Sequence, residues 1–205
     1  MARLALALVG LAVITACSGS RAVTNPVHRG AQSIAVQNAE VAGLVRCTQS
    51  GKPPDVIKAM QDGNDPEDAR QLQTSWDIAA TNGALGGYYV AYAASVTDCN
   101  EYLFGPTPIE KMRDGWLANY VVVFSSDKQA HAAWVSGLLF PSPDELHAMG
   151  ATVGSDTGLG ENAVVGTTDN PWLAIWSKGS SWSWLFTNLG PAKGLTIAKT
   201  VNGRM

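Results

Sequence analysis

The chain has 205 residues, and 14 Lys and Arg against 17 Asp and Glu give it a formal charge of −3. No run of basic residues exists to track a phosphate backbone, which argues against nucleic-acid binding. Past the N-terminal segment, no apolar run approaches the ~20 residues that a membrane-crossing helix needs.

The N-terminal segment is distinct from the rest. Arg3 supplies a positive start, Leu4 to Val13 is apolar apart from Gly10, and Ile14-Thr15-Ala16-Cys17 closes the stretch. A charged start, an apolar run of about ten residues and a small-residue exit read as an export signal. The exit resembles the lipobox of bacterial lipoproteins: an aliphatic residue, a small one, Ala or Gly, then Cys. In that family the Cys is lipidated on its thiol and becomes the new N-terminus. The resemblance covers this segment alone, and here Ile14 stands where Leu is commoner. It implies a signal peptide over 1–16, lipidation at Cys17, and an exported domain held to the bacterial cell membrane outside the cytoplasm. Plain secretory cleavage after Ala16, leaving a free thiol, and an uncleaved signal anchor are the competing readings.

Removing residues 1–16 takes away one basic residue and no acidic one, moving the charge to −4. With Cys17 lipidated, Cys47 and Cys99 remain, an even pair that reads as a disulfide in an oxidising compartment. Two unrelated buried thiols are the alternative.

Residues 17–30 are polar, include Pro26 and His28, and carry no apolar period, as in a tether. Ile34, Val41, Leu44 and Val45 fit a helix between Ala31 and Cys47. Pro53-Pro54 breaks the chain ahead of a short helix over Val56 to Gln61. Asp65 as cap, Pro66 at the first helical position and Glu67-Asp68 in the first turn open the next helix. It runs through Ala69, Leu72, Trp76, Ala79 and Ala80 and stops at Asn82-Gly83. Between Gly86 and Phe104 the tyrosines suggest a strand, but Tyr88, Tyr92, Ser95, Val96, Cys99, Tyr102 and Leu103 share one helical face. The spacing predicts a helix.

Gly105, Pro106 and Pro108 mark a break. Leu117 to Phe124 (LANYVVVF) reads as a strand, and Ser126 with Gln129 resembles a capping box opening a helix along Ala130, Trp134, Gly137 and Leu138. Residues 141–160, rich in Pro and Gly, read as a long loop. Strands are predicted over Asn162–Thr168, Trp172–Ser177 and Trp182–Thr187, with turns at Asp169-Asn170-Pro171 and Lys178-Gly179-Ser180. Gly190-Pro191 opens a last helix with Leu195, Ala198 and Val201 inward and Gly203 at its end.

The fold class is therefore α+β. A helical N-terminal layer (31–104) precedes a β-α-β-β-β-α unit (116–203), whose antiparallel sheet carries helices on one face, all in a single domain over 31–205. That order resembles the Mog1/PsbP-like sheets of some exported lipoproteins, a likeness that implies a fold and no function.

Catalytic constellations are hard to find. His28, His131 and His147 have no second His or Cys at metal-ligand spacing. Ser155, in Val153-Gly154-Ser155-Asp156-Thr157, fails the G-x-S-x-G pattern. The glycines at 150, 154, 158 and 160 lack the Lys of a phosphate loop. Asp62-Gly63-Asn64-Asp65 lacks the ligand alternation of an EF-hand, and capping explains Asp65 better. No cofactor or metal is implied.

Seven tryptophans stand out, four of them (Trp172, Trp176, Trp182, Trp184) within thirteen residues. Strand alternation places Trp182, Trp184 and Phe186 on one face, and Trp172, Ala174 and Trp176 on another. If the hairpin register brings these faces together, an aromatic patch results, serving as core beneath the helices or as a platform for a small molecule or glycan. Trp172 and Trp176 are the candidate ligand-binding residues, because Leu173 and Ile175 make the opposite face of their strand apolar too. The expectation is a non-catalytic, membrane-anchored binding or accessory module. The alternatives are an envelope hydrolase, with His131 beside a Ser or an acid in a pocket, and a protein-interaction module with an open apolar sheet face.

Overall fold

A computed structural model of the chain describes residues 29–113, 115–136, 141–166 and 171–205. The signal segment, Cys17, His28 and most of the tether lie outside the described residues, as do Gly137 and Leu138 and most of the Asp169-Asn170-Pro171 turn. The elements in order are α1 (Ala31–Ile34), β1 (Val45–Arg46), α2 (Pro53–Asp62), α3 (Pro66–Thr81), β2 (Ala84–Ala93), α4 (Val96–Asp98), β3 (Trp116–Phe124) and α5 (Asp127–Val135). Then come α6 (Pro143–Ala148), β4 (Thr152–Val153), β5 (Ala163–Val165), β6 (Trp172–Lys178), β7 (Ser181–Thr187) and α7 (Pro191–Asn202). The fold is α+β, built on a seven-stranded sheet of order β1-β2-β3-β7-β6-β5-β4 with every pairing antiparallel.

The local signals explain most element starts. The Asp65 carboxylate accepts from the Asp68 amide, Pro66 occupies the first turn of α3, and Gly83 leaves it at φ 89°. Ser126 caps α5 by accepting from the Gln129 amide, while the Gln129 side chain takes the hydroxyls of Ser125 and Ser126. Pro53 and Pro54 are the first residues of α2 instead of a break before it, because a proline at a helix start gives up only an amide that has no intrahelical partner there.

Three expectations are corrected. Residues 31–47 form one helical turn, a 3₁₀ turn at Asn38–Glu40 and the short β1, in place of one helix. Residues 141–160 contain α6, which starts on a full Ser142–Glu145 capping box, and β4. Most consequential, Ala84–Ala93 is a strand deep in the sheet, and helical turns begin only at Val96. The N-terminal half thus supplies helices α2 and α3 and two strands besides.

Helices cover both faces of the sheet, not one. On the first face α2, α3, α5 and α6 pack on Tyr89, Ala91, Trp116, Ala118, Tyr120, Val122, Phe124, Ile175 and Trp182. On the second, α1 and α7 pack on Tyr88, Val90, Tyr92, Leu117, Val121, Trp172, Ala174, Trp176 and Leu185. A buried polar residue stitches this second layer to the sheet. Asn119 accepts from the Val36 amide (3.1 Å) and donates to Ser183 Oγ (3.0 Å) and the Trp184 carbonyl (2.6 Å).

Cys47 and Cys99 form a disulfide, which joins the end of β1 to the helical turns after β2 across 52 residues. The C-terminus closes the second layer. Arg204 pairs with Glu40 and donates to the carbonyls of Ile34 (2.9 Å) and Ala35 (2.9 Å), while Arg29 donates to the Arg204 carbonyl (3.1 Å). Trp176 Nε1 donates to Met205 Sδ (2.8 Å).

Candidate functional site, an aromatic cleft beside α3

The β6–β7 hairpin decides where the tryptophans go. Its two-residue turn, Gly179-Ser180, pairs Lys178 with Ser181, and Gly179 adopts the left-handed φ of 54° such a turn needs. This register sets Trp176 opposite Ser183 and Ile175 opposite Trp184. Directly opposed residues share a face, so Trp172 and Trp176 point to one side of the sheet, and Trp182 and Trp184 to the other. No joint patch forms. Trp172 and Trp176 are 2% and 0% exposed beneath the second layer, so they form no open platform, although Trp172 edges a smaller cleft of about 350 Å³ with Val165, Pro191 and Leu195. Gly194 of α7 rests directly on the Trp172 ring.

The open aromatic surface lies on the first face. A cleft of about 680 Å³ runs along α3, within the range of small-molecule sites. Its floor is Tyr89 of β2, Ala118 and Tyr120 of β3, and Trp184 and Phe186 of β7. Asp68, Gln71, Leu72 and Ser75, which recur at helical spacing on α3, make one wall, with exposed Arg70 and Thr74 at the rim. Met60, Ile109 and Pro141 complete the lining.

The floor is preorganised by ring packing. Tyr89 meets Trp184 edge-on at 5.8 Å, and Tyr120 meets Trp182 and Trp184 edge-on, each at 6.2 Å. Gly87 lets the helical layer come down onto β2, since a side chain there would meet Pro53 at 2.9 Å and Trp76 at 3.0 Å. The cleft opens beside that contact.

Its polar groups are the polar side chains of the α3 wall and rim and the two phenols of the floor. Tyr120 is 1% exposed, and its hydroxyl has no hydrogen-bond partner among the described residues. Burial pushes the Tyr120 phenol well above the ordinary range, and it does the same to Tyr89, reinforced by the Asp68 and Asp65 carboxylates. Both phenols therefore stay neutral O–H groups at physiological pH.

The histidines are elsewhere. His131 is exposed on α5, and His147 is exposed on α6 with Nδ1 3.2 Å from the Ala151 carbonyl. Ser155 is exposed in a 3₁₀ turn. Among the described residues no three His, Cys, Asp or Glu side chains gather as a metal site would need, and no helix is long and apolar enough to cross a membrane. Sequence reasoning missed Tyr89 and Tyr120 as lining residues. The available signal was one phenol set among aliphatics in LANYVVVF, on the same alternation as Trp184 across the sheet. Comparison with known protein families, curated proteins and solved structures finds no match for this chain.

Proposed function

We propose that the chain is an exported lipoprotein, tethered to the bacterial membrane through Cys17, whose domain binds a small molecule in the cleft beside α3. The observation that carries the binding half is the cleft itself: four aromatic rings from three strands, one of which, Tyr120, has a buried hydroxyl without a partner among the described residues. A buried polar group without a partner costs about 1–3 kcal/mol, which a bound ligand offering an acceptor would recover. The Cys47–Cys99 disulfide supports the exported half, because such bonds persist in oxidising compartments. Arg29, the first described residue, lies on the α1 and α7 side of the sheet, opposite the face that holds the cleft. Non-catalytic binding fits the exposed positions of His131, His147 and Ser155, none of which lines the cleft.

The test has two arms. Cys17→Ala should leave the chain unprocessed or released, and unchanged membrane retention and mass would reject the anchor. For the cleft, a neutral environment-sensitive dye such as Nile red should bind the full chain. Trp184→Ala should weaken that binding about tenfold or more, since loss of one stacking ring costs roughly 1–3 kcal/mol. Equal affinity for both proteins would move the ligand site elsewhere.

A further inference from the structure

The chemistry of the cleft narrows what it accepts. Its floor carries two phenols among apolar side chains, and of these the Tyr120 hydroxyl, on a ring packed edge-on against Trp182 and Trp184, is buried without a partner among the described residues. A neutral phenol in that setting is a hydrogen-bond donor looking for an acceptor. Among the described residues the charged lining side chains are Asp68 in the α3 wall and Arg70 at the rim, both exposed. Among the described residues no Lys or His lines the cleft and Arg70 is exposed at its rim, so a fully inserted anion would find no countercharge, and stripping it of water would cost far more than one hydrogen bond returns. The Asp68 carboxylate on the α3 wall acts on Tyr89 and not on Tyr120, so a cationic group would be met at the wall and would find no countercharge beside the Tyr120 hydroxyl.

We infer that the cleft takes a neutral amphiphile: an apolar ring or chain that carries a carbonyl, ester or ether oxygen and sets it against the Tyr120 hydroxyl. This rests on the cleft being a ligand site. Tyr120 is then the specificity-determining residue, and Trp184 and Phe186 supply apolar contact that does not discriminate between acceptors.

Three naphthalenes of similar size separate these terms: 2-acetonaphthone with a carbonyl, 2-ethylnaphthalene without one, and 2-naphthoate with a charge. Equilibrium dialysis against the full chain should give the ketone about threefold to tenfold tighter binding than the hydrocarbon, and the carboxylate the weakest of the three. Tyr120→Phe deletes only the unpartnered hydroxyl and leaves ring packing in place, so circular dichroism should show an intact fold. In that variant the ketone and the hydrocarbon should bind equally. An unchanged ketone preference in Tyr120→Phe, or no preference in the natural chain, overturns the role of Tyr120 while leaving the cleft a ligand site. Tightest binding of the carboxylate overturns the neutral class in favour of Arg70 at the rim. If none of the three binds, the cleft reading itself fails and the inference falls with it.

Discussion

Gly194 shows how a single position can set two tendencies against each other. In the middle of α7, glycine is worse than alanine by about 1 kcal/mol in helix propensity, so Gly194→Ala would ordinarily stabilise. Here the added Cβ would lie 2.4 Å from Trp172 Cε3 and within 3 Å of two further ring atoms. Trp172 is buried and cannot swing away, and overpacking of this kind costs about 1–3 kcal/mol. The clash should win or at least cancel the gain, giving Gly194→Ala a lower thermal midpoint. Trp172→Phe should relieve it, so the double variant should be more stable than the two single losses add up to. A raised midpoint for Gly194→Ala alone would show that α7 lifts off the sheet freely. Read as a pocket residue, Trp172 would tolerate the alanine; read as core, it does not.

Among the elements, β2 is where sequence and structure part, and the reason is physical. Alternation reveals a strand when one face is wet. In β2 both faces are covered, so Tyr88 through Ala93 are all buried and the period of two disappears. The helical spacing that remained was real from Ser95 onward, where a capped turn begins with Ser95 accepting from the Asp98 amide. No glycine or proline marks the boundary between β2 and that turn, so the spacing runs on backwards into the strand. α3 and α7 were legible because their caps and prolines act locally, through hydrogen bonds a few residues long. The cleft was not, because it depends on pairing β3 with β7, which sequence spacing does not encode. The disulfide lies on the same scale: it closes a loop containing α2, α3 and β2, which includes one cleft wall and part of the floor. A loop of that length stabilises by about 4 kcal/mol in the chain-entropy view. Cys47→Ala/Cys99→Ala should therefore lower the denaturation free energy by about 2–4 kcal/mol, measured by urea titration. It should also weaken dye binding in the cleft before global unfolding. Loss of stability with cleft affinity fully retained would show that the bond does not steady α3.

At the scale of the whole molecule, both ends of the domain are fastened to one another. Arg204 holds the carbonyls of Ile34 and Ala35 and the carboxylate of Glu40, Arg29 holds the Arg204 carbonyl, and Met205 covers the Trp176 indole nitrogen. Hydrogen bonds from a charged donor are worth about 1.5–3 kcal/mol each, and these are half-buried. Removing Arg204 and Met205 should cost about 2 kcal/mol or more and shift tryptophan emission to the red as Trp176 meets water. An unchanged melting curve would mean that α1 is held by Asn119 and its apolar contacts alone.

The strand order β1-β2-β3-β7-β6-β5-β4 also carries a temporal consequence. It consists of two meanders, each made of sequence neighbours, joined at the single β3–β7 seam. Such a long-range pairing raises contact order and slows folding. A chain emerging N-terminus first presents Leu117–Phe124 as a bare apolar edge until residues 181–187 arrive, the kind of edge that invites aggregation. Tyr89 and Tyr120 wait on one side of that seam, and Trp184 and Phe186 come with the other. The cleft thus needs the β3–β7 seam, and a chain that stalls before that pairing has neither a closed edge nor a complete floor to the cleft.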